Sequence, residues 1–344
     1  MKTIAHILFA ILLITISGCN QKPKTNNIQQ TSIDALTMET VAVESDYEQN
    51  IQDLAVFSVH WLERSDIAFV SLSDIYLLED EDSYSLALPN IEEKGVDSAQ
   101  YFVLEKRYRD RFLSETKISE TDSVFVYDYS INKLVPIVVK NLKVVAMVTF
   151  YASERDYPYP PYYYMIGFEI DAEKLKGFSD YYLHTLVSVG KENPFVQEQL
   201  TPIVWKKIAT EDFPSKEIEG EYNAYLKILA IGNTYIFEAN GMQYFLQDLL
   251  ESQFNQTEFR RLLVVDSKTK DIIIERIYGR GEGTSVSPLN YEYVDAEINQ
   301  WTGRLFKNKP PVVFGFEYIS FGCPFISIID KLNEDIFIYC DNRH

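Results

Sequence analysis

Apolar positions along this chain follow two rhythms, alternation over short runs and spacing at three or four residues, and alternation dominates. Residues 124–129, 134–139 and 144–151 are β-branched and aromatic runs separated by Ser130-Ile131-Asn132-Lys133 and Asn141-Leu142-Lys143, which predicts a strand meander, with 162–170 as a fourth strand. Near the C-terminal end, 325–329 and 336–339 flank the polar stretch 330–335 and read as a β-hairpin. Helical spacing is rarer. It occurs at 51–64, where Leu54, Phe57, Trp61 and Leu62 share a face, at 98–113 behind Asp97 or Ser98, at 194–208 with a kink at Pro202, and at 242–254. The expected fold is therefore α+β, mainly antiparallel sheet with hairpins and meander and few helices.

The order of these elements repeats. Residues 67–79 overlay on 226–238 with Tyr76 on Tyr235 and Glu79 on Glu238, and a helical pattern follows each, at 98–113 and 242–254. A hairpin comes next in both places, Val126-Tyr127-Asp128 matching Val264-Val265-Asp266 with its turn Ser267-Lys268-Thr269-Lys270. Later, Pro160-Pro161 precedes Gly167-Phe168-Glu169, and Pro310-Pro311 precedes Gly315-Phe316-Glu317. Four matches in one order predict two duplicated hairpin–helix–hairpin halves, 46–210 and 221–344, divided by the polar stretch 211–221 with Pro214 and Gly220.

The N-terminal segment has its own grammar. Lys2 precedes the apolar run Ile7 to Ile16, ten residues against the roughly 20 that span a bilayer, and small residues lead to a cysteine in Ile16-Ser17-Gly18-Cys19. This resembles a bacterial lipoprotein signal peptide with its lipobox. The resemblance implies that residues 1–18 are removed, that Cys19 carries lipid including an acyl group such as palmitate, and that the body faces the periplasm or the cell exterior. Residues 19–45 then serve as a polar tether, with almost no apolar content over 20–32.

Composition narrows the remaining chemistry. Hydrophobic residues make up 46% of the chain and aromatics 14%, enough to fill real cores. A net charge of −19 excludes nucleic acid as a partner and favours a basic protein, while the membrane is reached through the lipid. With Cys19 lipidated, Cys323 and Cys340 are left across the open end of the 325–339 hairpin, where an oxidising compartment lets them bond.

Catalytic patterns are sparse. His60, His184 and His344 are too scattered for a zinc motif, no Gly-x-Ser-x-Gly elbow is present, and no metal or cofactor is expected. Ser-x-x-Lys occurs at 114/117, 130/133, 188/191 and 267/270 without its Ser-Asp-Asn and Lys-Thr-Gly companions. Gly279-Arg280-Gly281-Glu282-Gly283-Thr284 lacks the Gly-Lys-Ser/Thr of a phosphate loop and reads as a loop between strand and helix. Glu79-Asp80-Glu81-Asp82 lacks calcium-ligand spacing, and the polar end 340–344 reads as a frayed terminus. The most unusual composition is Tyr157-Pro158-Tyr159-Pro160-Pro161-Tyr162-Tyr163-Tyr164. Its proline-stiffened rings make Tyr157, Tyr159, Tyr162 and Tyr163 candidate binding residues, against the plainer reading of rings folded onto their own sheet. These features lean away from an enzyme and toward a non-catalytic protein-binding module of inhibitor, immunity or assembly type. The alternative is an envelope hydrolase acting on glycan or peptide through paired carboxylates, a pair that the sequence does not single out among 51 acids.

Overall fold

Strand formation dominates the molecule, as the alternating runs predict. A computed structural model describes residues 54–62, 66–78, 81–218, 223–251, 256–290, 299–332 and 334–343, all within the unit Tyr47–His344. The leader, Cys19, the tether, Glu79, Asp80 and His344 lie outside the described residues.

The largest sheet has nine strands in the order Leu200–Pro202, Trp301–Gly303, Val312–Phe314, Phe325–Ile328, Asp335–Tyr339, Val56–Phe57, Thr185–Gly190, Ser123–Asp128 and Lys133–Val138. Val56–Phe57 runs parallel to Asp335–Tyr339 and antiparallel to Thr185–Gly190; the other neighbours are antiparallel. An antiparallel meander follows the order Lys206–Ile208, Ala230–Ala239, Met242–Glu251, Gln256–Asp266 and Ile272–Gly279. A second five-stranded sheet combines His60–Leu62, Ile67–Ser71, Tyr164–Asp171, Lys143–Val148 and Tyr101–Val103, and Thr284–Val286 pairs with Glu317–Ile319. The described α-helices are short: Glu81–Ala87, Val96–Gln100, Lys106–Glu115 and Asn223–Leu226. Lys106–Glu115 buries Tyr108, Phe112 and Leu113, and the Phe112 ring meets Tyr76 and Phe168 edge-on at 5.2 and 5.5 Å. Burying such a ring contributes about 1.5–3 kcal/mol, which holds this helix on its sheet.

Four helical expectations change, the first two for a shared reason. Within 54–62 the chain forms Val56–Phe57 and His60–Leu62, because Val56 enters one core beside Leu305 and Ile326 while Phe57 enters another beside Val187. A strand buried on both faces shows an apolar run that mimics a helical stripe. Residues 242–251 are likewise a strand, with Tyr244 and Leu246 facing one core and Phe245 the other. The helix expected over 98–113 is cut by Tyr101–Val103, whose residues pair with Met147, Ala146 and Val145. Residues 194–208 form the strands Leu200–Pro202 and Lys206–Ile208 and no helix.

The meander expected over 124–151 splits. Ser123–Asp128 pairs with Lys133–Val138, after which the 3₁₀ turn Val139–Asn141 sends Lys143–Val148 into the other sheet. The overlay of 67–79 on 226–238 does not carry over either, since Ile67–Ser71 ends at its turn whereas Ala230–Ala239 runs on through Gly232-Asn233 with only a register irregularity. The nine-stranded sheet draws strands from both sides of 211–221. Part of that polar stretch straps the outer face of the meander: Phe213 meets Phe245 at 6.3 Å, Arg261 donates to the Lys216 carbonyl at 2.8 Å, and Lys216 pairs with Glu275 at 2.7 Å.

Candidate functional site

The tyrosine segment closes on itself. Tyr159 is only 2% exposed, meeting Tyr157 and Tyr164 edge-on at 5.8 and 6.4 Å, and Tyr157 donates its hydroxyl to the Lys94 carbonyl. Tyr163 packs against the same core. Of the four candidate residues only Tyr162, 58% exposed, presents a large open face. Contiguous rings have short connections and each other as partners, so they satisfy their own burial.

The C-terminal end is held, contrary to the frayed terminus expected for it. Cys323 and Cys340 are bonded, with Cα atoms 5.5 Å apart, across the open end of the hairpin formed by Phe325–Ile328 and Asp335–Tyr339. Just beyond, the Asp341 N–H donates to Asp74 Oδ2 at 2.8 Å, and Ser71 Oγ and Arg343 Nε each donate to the Asp341 carboxylate. Arg343 also donates to the carbonyls of Tyr162 and Tyr164 at 2.8 and 2.9 Å, fastening the tyrosine segment to the tail. Burial pushes the Asp74 carboxyl above its ordinary range, opposed by the hydrogen bond from the Asp341 N–H. The Asp341 carboxylate has both oxygens engaged by Ser71 and Arg343, and neither Asp74 nor Asp341 lines the pocket described next. The His60 imidazole, beside Asp341, is held below its usual basicity by burial.

A pocket of about 420 Å³ opens at one end of the nine-stranded sheet. There Val56–Phe57 ends, Thr185–Gly190 begins, Val312–Phe314 ends and Phe325–Ile328 begins, so strand termini supply its walls. Tyr278, Phe316, Phe314 and Leu186 are buried lining residues, and Tyr278 stacks on Phe316 with centroids 4.6 Å apart. Tyr129 and His184 stand together at 5.5 Å between ring centroids. Large apolar side chains exposed at its mouth are Tyr181 (63%), Leu183 (61%) and Tyr318 (45%). Tyr181 and Tyr182 both hold positive φ, 54° and 56°, a conformation that side chains with Cβ rarely adopt and that tends to gather at functional loops.

Glu317 is the one carboxylate among the described lining residues. Gly315 places it: with φ +89°, and with the Asn299 carbonyl 1.9 Å from where a Cβ would sit, only glycine lets the chain turn off Val312–Phe314 here. Phe316 then enters the core and Glu317 the pocket wall. Glu317 Oε1 accepts the Gly279 N–H at 2.8 Å, and burial raises its carboxyl above the usual range with no cation to oppose the rise. Its sequence counterpart Glu169 is different, because Lys143 reaches it at 2.7 Å and Tyr101 donates to it. Two other polar atoms of lining residues, Tyr278 Oη and Thr185 Oγ1, are buried without a hydrogen bond of normal geometry. Ser327 stands beside Tyr278, and its Oγ, which accepts from Arg276 Nε at 3.2 Å, keeps an O–H to turn toward the phenol oxygen.

Gly279–Thr284 joins two strands, the strand Thr284–Val286 following it where the sequence predicts a helix. None of the pocket residues forms a local motif; in sequence Gly315, Phe316 and Glu317 are marked only by the Gly315-Phe316-Glu317 match and His184 only as a scattered histidine. No helix among the described residues is long and apolar enough to cross a membrane. Comparison of the chain with protein-family models, with curated proteins and with solved structures finds no match.

Proposed function

We propose that this chain is a lipid-anchored lipoprotein of a bacterial envelope acting as a non-catalytic protein-binding module, of the inhibitor, immunity or assembly type, and that the pocket bounded by Tyr181, Leu183 and Tyr318 is its recognition face. The observation that carries this reading is the pocket itself, aromatic-walled, rimmed by exposed rings and holding one carboxylate. Exposed aromatic residues around a concave apolar centre are what protein interfaces use as anchors. Two-carboxylate hydrolysis needs a second acid across the cleft, and Glu317 has none among the described lining residues. The anchor rests on Cys19 and its lipobox.

Site-specific photocrosslinking in the native envelope tests the recognition face. A photoreactive residue at Leu183 is expected to give one defined adduct and the same residue at Tyr162 none; adducts from 162 alone would move the face to the tyrosine segment. For the anchor, Cys19→Ala is expected to leave the protein unprocessed or release it from membranes, and an unmodified cysteine on a cleaved chain would contradict lipidation.

A further inference from the structure

Resting on the recognition face just described, we propose that its pocket binds a primary alkylammonium group, the end of a lysine side chain on the partner protein. Two features converge on that chemistry. The aromatic walls offer π faces, which attract cations and suit an apolar stem equally well. Glu317 supplies a negative charge with no counter-ion among the described residues, its only hydrogen bond being the one from Gly279, so one carboxylate oxygen is left to accept. An ammonium carries three donors and no acceptor, so it can give one to that oxygen. A quaternary ammonium would satisfy the rings but has no N–H to donate to Glu317. An uncharged apolar side chain would leave the half-buried Glu317 carboxylate without a counter-charge.

The charge of the whole molecule favours the same ligand. At −19 the chain draws in a basic partner over long range, and the pocket gives one of that partner's lysines a defined seat. The cation would also relieve the cost of burying Glu317, which the fold itself does not offset in the way that Lys143 offsets Glu169.

Calorimetric titration of the folded chain with Nα-acetyl-lysine methylamide, its Nε-acetylated form, the norleucine analogue and choline tests the proposal. The lysine derivative is expected to bind with a Kd at or below about 1 mM, at least 10-fold tighter than each of the other three. Glu317→Gln is expected to weaken it at least 10-fold without lowering the melting temperature. Equal binding of lysine and norleucine derivatives, tighter binding of choline, or no binding of any probe would overturn the alkylammonium assignment. The recognition face fails separately, if photocrosslinks from Leu183 do not form; crosslinks there together with no lysine preference would keep the face and discard its ligand.

Discussion

Two tyrosine-rich regions of this protein solve opposite problems. Between Tyr157 and Tyr164 the rings are neighbours in sequence, and they bury one another, with Tyr159 and Tyr164 in the core and Tyr157 tied to the Lys94 carbonyl. At the end of the nine-stranded sheet the rings come from separate segments, Tyr129, Tyr181, Tyr278 and Tyr318, and they enclose about 420 Å³. Sequence contiguity gives rings each other; fixed strand ends hold rings apart. An aromatic cluster that is obvious in a sequence is therefore the better candidate for core, and a dispersed one for a site.

The sharpest way to break that contrast is Tyr159→Ala. Removing a fully buried ring should cost on the order of 3–5 kcal/mol, read as a large fall in the denaturant midpoint, with lysine-derivative binding per folded molecule unchanged. A small stability loss would mean that the segment is surface after all. Next in size is the disulfide. Cys323→Ser with Cys340→Ser closes no loop in the unfolded chain and should lose about 3 kcal/mol, with faster amide exchange at 341–343 and at Tyr162–Tyr164, since the tail holds those carbonyls.

Glu317 gives a smaller effect of opposite sign. Its carboxyl is raised in the folded state, so the fold prefers the protonated form; stability falls as pH rises from the ordinary glutamate value through the raised one and stays lower above it. Glu317→Gln should thus raise the melting temperature slightly at pH 7, and the difference should vanish below the ordinary glutamate value. The groups bearing on this carboxyl are the Gly279 N–H and the Tyr278 hydroxyl, with Arg276 beyond Tyr278 already paired to Asp335 at 2.8 Å. Lysine-derivative binding should run the other way, tightening as pH rises through the raised value. Smallest of all is Tyr162→Ala, expected to stay within about 0.5 kcal/mol in stability and to leave binding unaltered.

Legibility followed the same contrast between local and dispersed order. The hairpin carrying Cys323 and Cys340, the pairing of 123–128 with 133–138, and the turn at Asp266, whose carboxylate accepts the Lys268 and Thr269 N–H groups, were all readable because each is local. Val56–Phe57 and Met242–Glu251 carry a helical pattern in sequence because cores lie on both of their faces, which erases the alternation that marks a strand. The pocket left almost no trace. His184, Glu317 and Tyr318 are ordinary residues in their own neighbourhoods, and only the sheet order brings strand ends from distant parts of the chain together.

Hydrogen–deuterium exchange of the chain with and without saturating Nα-acetyl-lysine methylamide compares the two regions in one measurement. Slowed exchange at 181–186 and 316–319, with 157–164 unchanged, is the expected result. Protection confined to 157–164, or none in either region, would contradict the assignment of the dispersed aromatic pocket as the binding site.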